Sequence, residues 1–369
     1  MIEPRQSGDL NKSDEFALAV ECCRHSFRHG SETSASSLQT VDWQRLLKIV
    51  RFHRIEGIAW NYLAPIRSQL PDAVAVELSS AASKIAANSL RAVQDCRRLM
   101  DSFEAAGLSL LFLKGLPLGA LAYGNPALKS SIDIDLLIDA DQLLAAATIL
   151  RTNGYRLVAP AKPSDGDLKR WHRGWKESVW RNDETAMQLD LHTRTADNDR
   201  LIPNINVRSP RQDVLVGGRI TLPTLADGEL FAYLTVHGAS SAWFRLKWAA
   251  DFGGFLSGKS GEALEHLYRR SQALGAGRAP GMALLLADRL FETLDRNPDL
   301  RGELRRDPEI VRLYRTSLHL LLAGPDEPTA SRLGTLPIHM LQLGLLPGPG
   351  YMLSEIWRQT RRFLDRPPV

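Results

Sequence analysis

Cysteine is scarce, with three in 369 residues. Cys22 and Cys23 are adjacent and Cys96 stands alone, which gives neither an even disulfide framework nor a Cys-x-x-Cys or Cys/His metal spacing. A chain of this length buries a core without covalent staples, so the thiols are expected to be inert and a reducing cytoplasm is the expected compartment. Long apolar runs are missing as well. The longest, such as Leu143 to Leu150, fall far short of the roughly 20 residues that cross a bilayer, and no membrane helix is expected. The start from Met1 to Glu15 is polar and carries Glu3, Asp9, Asp14 and Glu15, so it lacks the basic and apolar segments of a secretory signal. Charge of one sign is also absent: 46 Lys+Arg stand against 42 Asp+Glu, for a net charge of +4. The arginines are scattered among acids, and a nucleic-acid partner is not indicated. What remains, with 44% hydrophobic and 24% charged residues, is an ordinary globular composition that excludes disordered, collagen-like and coiled-coil chains.

The first hundred residues read as helix. Trp43, Leu46, Leu47 and Val50 recur at three- and four-residue spacing behind Asp42, a capping residue type. A second pattern, from about Asp72 to Ala106, carries Val76, Ile85, Leu90, Val93, Leu99 and Phe103 and meets no Gly or Pro until Gly107. The character then changes. Leu108 to Leu113 is a short apolar run closed by Lys114-Gly115, as in a buried strand, and Ser131 to Ile138 alternates so that Asp133 and Asp135 share a face. A helix over Asp139 to Thr152 stops at Asn153-Gly154, and Tyr155 to Val158 forms a further strand. The stretch from Pro160 to Gly174 is polar and basic, broken by Pro163 and Gly166, and reads as an exposed loop carrying Lys169, Arg170, His172 and Arg173. Glu177 to Trp180 and Met187 to His192 flank the turn pair Asn182-Asp183 and suggest a hairpin whose second strand aligns Gln188, Asp190 and His192. From Asp227 the chain is again helical, with breaks expected at Gly253-Gly254, Gly275 to Pro280, Pro325 to Pro328 and Gly348 to Gly350. The organisation expected is a helical region over 1–106, a mixed sheet over 107–222 and a second helical region over 223–369. The class is α+β.

The chemistry concentrates on three acids. Carboxylates at i and i+2 of a strand project the same way, and a third on a neighbouring strand completes a set of hard oxygen ligands. Asp133, Asp135 and Asp190 fit that pattern. Mg²⁺ or Mn²⁺ takes a few carboxylates and fills its remaining positions with water and substrate phosphates, which suits nucleoside triphosphate chemistry. Alone, an Asp-x-Asp on a strand equally suits the solvated face of a half-buried sheet. Lys114 and the helix start at Gly115 offer a cation and unsatisfied N–H groups to phosphate. Lys129, Arg245 and Lys247 are further cations able to face phosphate, with solvated flanks as the plain alternative for Lys129 and pairing with Asp251 at i+4 the alternative for Lys247. His192 either touches the ligands or makes a structural hydrogen bond at a strand end. Trp243 and Trp248 either line the site or only pack.

The combination Leu113-Lys114-Gly115, Asp133-Ile134-Asp135-Leu136-Leu137 and Leu189-Asp190-Leu191-His192 resembles the DNA polymerase β-like nucleotidyltransferase superfamily, and within it an uncharacterised bacterial nucleotidyltransferase family. The resemblance extends through His237-Gly238-Ala239, Trp243, Arg245-Leu246-Lys247-Trp248 and Asp251. It implies a nucleotidyltransferase-like sheet flanked by helices, a divalent cation on Asp133, Asp135 and Asp190, and an NTP, ATP among them, as donor of a nucleoside monophosphate. The acceptor it implies is a hydroxyl of a peptide, protein or small molecule, with Asp190 as ligand or general base toward it. Two departures stand out: Gly115-Leu116 replaces the superfamily's Gly-Ser, and the interval from Gly115 to Asp133 is longer than usual. A weakly catalytic nucleotide-binding or scaffolding protein and a kinase-like phosphotransferase are the rival readings.

Overall fold

The computed structural model describes residues 13–27, 40–129, 133–161, 164–324 and 334–364. The expectations that rest on the first twelve residues, on Ser131 and Ile132, on Pro163 and on the break at Pro325 to Pro328 lie outside the described residues.

Four helices come first: α1 (Asp14–Phe27), α2 (Trp43–His53), α3 (Glu56–Leu63) and the long α4 (Asp72–Ala105). Asp42 does cap α2, its side chain accepting from the N–H groups of Gln44 and Arg45. The buried face of α4 runs through Val74, Leu78, Ala92, Cys96, Leu99 and Phe103, while Val76 and Leu90, expected inside, are exposed. The periodicity found the helix but chose part of the wrong stripe, because the Ala-rich turns offer more than one apolar face.

The central region follows as β1 (Leu111–Phe112), α5 (Leu116–Tyr123), β2 (Asp133–Leu137), α6 (Leu143–Thr152), β3 (Tyr155–Ala159), α7 (Asp165–Gly174), β4 (Glu177–Asn182) and β5 (Gln188–His192). The strands form one mixed sheet in the order β1-β2-β5-β4-β3, in which only the β2–β5 pair is parallel. The hairpin of β4 and β5 is held at its turn by Asn182, whose side-chain oxygen accepts from the N–H groups of Glu184 and Thr185. The expected exposed loop over 160–174 is instead largely the helix α7. Ser164 caps it, and Leu168 and His172, four apart, are both buried. Its charged residues hid this short apolar stripe from a reading based on polarity.

A two-stranded ladder, β6 (Arg211–Val216) with β7 (Ile220–Leu225), leads into the last helices. These are α8 (Asp227–Ser240), α9 (Leu246–Leu256), α10 (Gly261–Ala273), α11 (Ala279–Phe291), α12 (Pro298–Arg306), α13 (Pro308–Ala323), α14 (Leu336–Leu343) and α15 (Pro349–Leu364). Gly253-Gly254 does not break a helix; both lie inside α9. A Cβ at Gly253 would come within 2.6 Å of the Phe291 ring and one at Gly254 within 2.7 Å of the Ala122 carbonyl, so the pair lets α9 approach α11 and α5 closely. One apolar core joins α1–α3 to the helices after β7, and a second fills the sheet between α4 and α6. No described helix is long and apolar enough to cross a membrane.

Candidate active site

Register places the acids. β2 and β5 run parallel with Asp135 beside Asp190 and Leu137 beside His192, while β4 sets Glu177 beside His192. One ligand atom each from Asp135, Asp190 and His192 lies within 4.8 Å of the others. Of the three acids expected as a set, Asp133 is not in this close group. It sits two residues earlier on β2, its carboxylate 3.9 Å from the Lys114 ammonium, and lines the adjoining pocket. His192 takes the third place instead.

Lys114 emerges from β1 and turns to the acids, its Nζ 2.8 Å from Asp135 Oδ1. His192 Nε2 lies 3.1 Å from the same oxygen, and its Nδ1 faces Glu177 Oε2 at 3.2 Å without an aligned hydrogen bond. Burial would raise the Asp135 carboxyl, but Lys114 and then His192 outweigh it and hold the group well below the usual carboxylate range. The Lys114 ammonium is in turn kept charged against its own burial by Asp135 and Asp133. Asp190 goes the other way. Burial first, then Asp135, Glu177 and Asp133, push it up to about 7. Among the described residues it accepts a hydrogen bond from Gln188 Nε2, at 3.2 Å.

Glu177 and its neighbour Lys176, 3.2 Å apart, belong to the same charged cluster, as do Tyr233 and His237 on α8. Burial makes the Tyr233 hydroxyl hard to ionise, and burial with Lys114 and Lys176 keeps the His237 imidazole neutral. Lys176, Glu177 and Tyr233 were not expected as site residues. Glu177 could have been found by extending the hairpin register back from Asp190; for Tyr233 the sequence holds no signal.

The acids adjoin a pocket with about 510 Å³ of empty space, partly open to solvent. Lys114, Gly115, Asp133 and Lys247 are among its polar lining, and Trp243, Trp248 and Phe252 among its apolar lining. Gly115 precedes α5 at φ 71°, ψ −122°, a conformation a side chain would strain, and so delivers the chain from β1 into the helix start. Lys129 is buried and ion-paired with Asp251, which also accepts from the Tyr123 hydroxyl at 2.9 Å. Asp251 is thus held by α5 and the segment after it, and the pairing considered between Lys247 and Asp251 is not the one formed. Lys247 stays half-buried in the pocket, its ammonium lowered to about 8 by burial and by Lys129. Arg245 lies elsewhere: its guanidinium donates to the Phe52 carbonyl at 2.5 Å and stands over the Phe52 and Phe244 rings, outside the pocket lining.

The donor set suits a hard divalent cation. Asp135 Oδ2 is buried with no hydrogen-bond partner among the described residues, although Oδ1 of the same carboxylate has two cationic or polar neighbours. An orphaned anionic oxygen in a low-dielectric site is costly unless a cation answers it.

This geometry agrees with a family match. A model of an uncharacterised nucleotidyltransferase family covers residues 39–292. The chain belongs to that family. The match takes in the sheet, both Asp strands and the pocket helices α8 and α9, so the family's chemistry and the charged cluster lie on the same part of the chain. The chain is accordingly a nucleotidyltransferase by family. No curated protein matches it.

Proposed function

We propose that this enzyme moves a nucleoside monophosphate from an NTP to an acceptor hydroxyl in a reaction dependent on Mg²⁺ or Mn²⁺. The observation that carries the reading is the convergence of Asp135, Asp190 and His192 beside a pocket lined by Lys114, Gly115 and Lys247. Asp135 and Asp190 would hold the ion, with His192 beside them and Asp133 on the pocket side. Bound there, the cation would neutralise phosphate charge and lower the acceptor hydroxyl's pKa. The two carboxylates, completed by water and phosphate oxygens, suit Mg²⁺ and Mn²⁺.

The residues themselves divide the work. The N–H groups at the start of α5 and the ammonium of Lys247 receive the triphosphate, and their positive character stabilises charge that builds on the leaving pyrophosphate. The Trp243, Trp248 and Phe252 wall takes the apolar part of the nucleotide. The acceptor oxygen bonds to the α-phosphorus as the bond from that phosphorus to pyrophosphate breaks. The hydroxyl proton passes to Asp190, which acts as general base toward the acceptor. No covalent intermediate is needed, because positioning and charge neutralisation supply the catalysis.

The test is calorimetry with a non-hydrolysable NTP and Mg²⁺ on the wild type and on the Asp133→Asn, Asp135→Asn double variant. The double variant should lose the metal-dependent part of NTP affinity; unchanged affinity would refute the assignment. Mass spectrometry of the product then separates monophosphate transfer from transfer of a terminal phosphate.

A further inference from the structure

Arg194 follows β5 by two residues, and its Nε and Nη2 are buried without a hydrogen-bond partner. No described residue forms an ion pair with it. Two other half-buried arginines are ion-paired, Arg301 with Asp288 and Arg358 with Glu355. Withdrawing two donors of a guanidinium from water with nothing to receive them is expensive, and a fold keeps such a group where something else supplies the acceptor.

Its place in the sheet tells which substrate that is. β1 is antiparallel to β2, with Leu111 beside Leu137 and Phe112 beside Leu136, so Lys114 and Gly115 leave β1 toward the Asp133 end of the acidic face. β5 is parallel to β2 and reaches His192 beside Leu137, the opposite end. The chain passes on to Arg194 there, Thr193 N–H donating to the Lys176 carbonyl at 2.9 Å. The buried His172 imidazole, held by Thr193 and Ser178 at 2.9 Å each, feels the charges of both His192 and Arg194. Arg194 is also absent from the lining of the nucleotide pocket. Asp190 thus stands between two anion-attracting ends: Lys114, Gly115 and Lys247 on one side, Arg194 on the other.

We propose that Arg194 is an oxyanion subsite for the acceptor, which carries a carboxylate or phosphate group remote from the hydroxyl that reacts. The planar fork of Nε–H and Nη2–H suits two oxygens of one such group. Four residues separate Asp190 from Arg194, at most about 13 Å of extended strand, so the anionic group and the reacting hydroxyl belong to separate parts of the acceptor. The proposal rests on the transfer reaction above for the meaning of "acceptor", but the subsite can be tested without turnover.

In protein labelled with ¹⁵N-arginine, the Nε–H signal of Arg194, assigned by its loss in Arg194→Lys, would be followed during separate titrations with acetate, with inorganic phosphate, and with the α,β-methylene analogues of ATP and GTP plus Mg²⁺, all at constant ionic strength. Acetate, phosphate or both should move the signal to saturation, with the nucleotide analogue already bound as well as without it. The two small anions distinguish a carboxylate from a phosphate acceptor. Arg194→Lys, which keeps the charge but loses the fork, should weaken anion binding about fivefold or more by calorimetry while leaving nucleotide affinity unchanged. A shift caused by the nucleotide analogue alone would make Arg194 a nucleotide ligand and overturn the proposal, and so would indifference to both small anions. Failure of both analogues to bind would sink the transfer reading instead, and the acetate and phosphate titrations would still decide on Arg194.

Discussion

Replacing Asp190 by Asn should make the metal-free enzyme more stable while ending its transfer activity. The carboxyl is buried against Asp135, Glu177 and Asp133, and its pKa of about 7 stands well above the ordinary 3.8. A folded-state pKa raised this way means the folded protein holds the proton more tightly than the unfolded chain. Stability is therefore full below the unfolded pKa and is lost as pH rises through 7. The shift corresponds to about 4 kcal/mol at pH 8, and sharing of the proton within the acidic cluster reduces this to about 2–4 kcal/mol. Asn has the shape of the neutral acid and still accepts from Gln188. For a chain of this length the gain is about 3–5 °C in melting temperature at pH 8, falling to about a third at pH 5 and vanishing near pH 4. Differential scanning calorimetry in EDTA would measure it. With Mn²⁺ or Mg²⁺ and an NTP present the order should reverse, because the wild type alone gains full binding free energy. An Asn variant that melts at or below the wild type at pH 8 in EDTA would refute this account of the site's electrostatics.

Lys114→Ala should both weaken NTP binding and lower the melting temperature, since removing one partner leaves Asp135 buried and uncompensated, at a cost of about 3–5 kcal/mol; a melt unchanged from wild type would show the pair carries no stability. Lys247→Met should cost NTP affinity by calorimetry with little change in melting temperature, and wild-type affinity should fall as pH rises through about 8, where the Lys247 ammonium loses its proton. A flat affinity from pH 7 to 9 would exclude Lys247 from phosphate contact. Gly238→Ala drives a Cβ into the Trp243 indole, so the pocket wall must move; the expected loss is about 1–3 kcal/mol in chemical denaturation together with weaker NTP binding. Tryptophan fluorescence identical to wild type would show that the wall had not shifted.

The sequence alone determined the elements that local pattern controls. Alternation around Asp133 and Asp135, the apolar run before Lys114-Gly115 and the turn at Asn182 marked four strands of the sheet and put Gln188, Asp190 and His192 on one face, because strand side chains repeat every two residues and turn residues act through their own backbone. The family resemblance rested on the same segments. What the sequence could not decide was which charges meet. That Asp190 stands beside Asp135 follows from a parallel pairing between strands some fifty residues apart, and that Lys129 takes Asp251 depends on how α9 docks against α5. Helix α7 was misread because two buried residues in a ten-residue segment that carries five charged ones leave a faint stripe, and Gly253-Gly254 because a glycine that permits close packing looks, in one dimension, like one that ends a helix. Periodicity reports which face of an element is apolar; only the tertiary structure supplies the neighbour that the face meets, and with it the burial and opposing charge that set Asp135 low and Asp190 high.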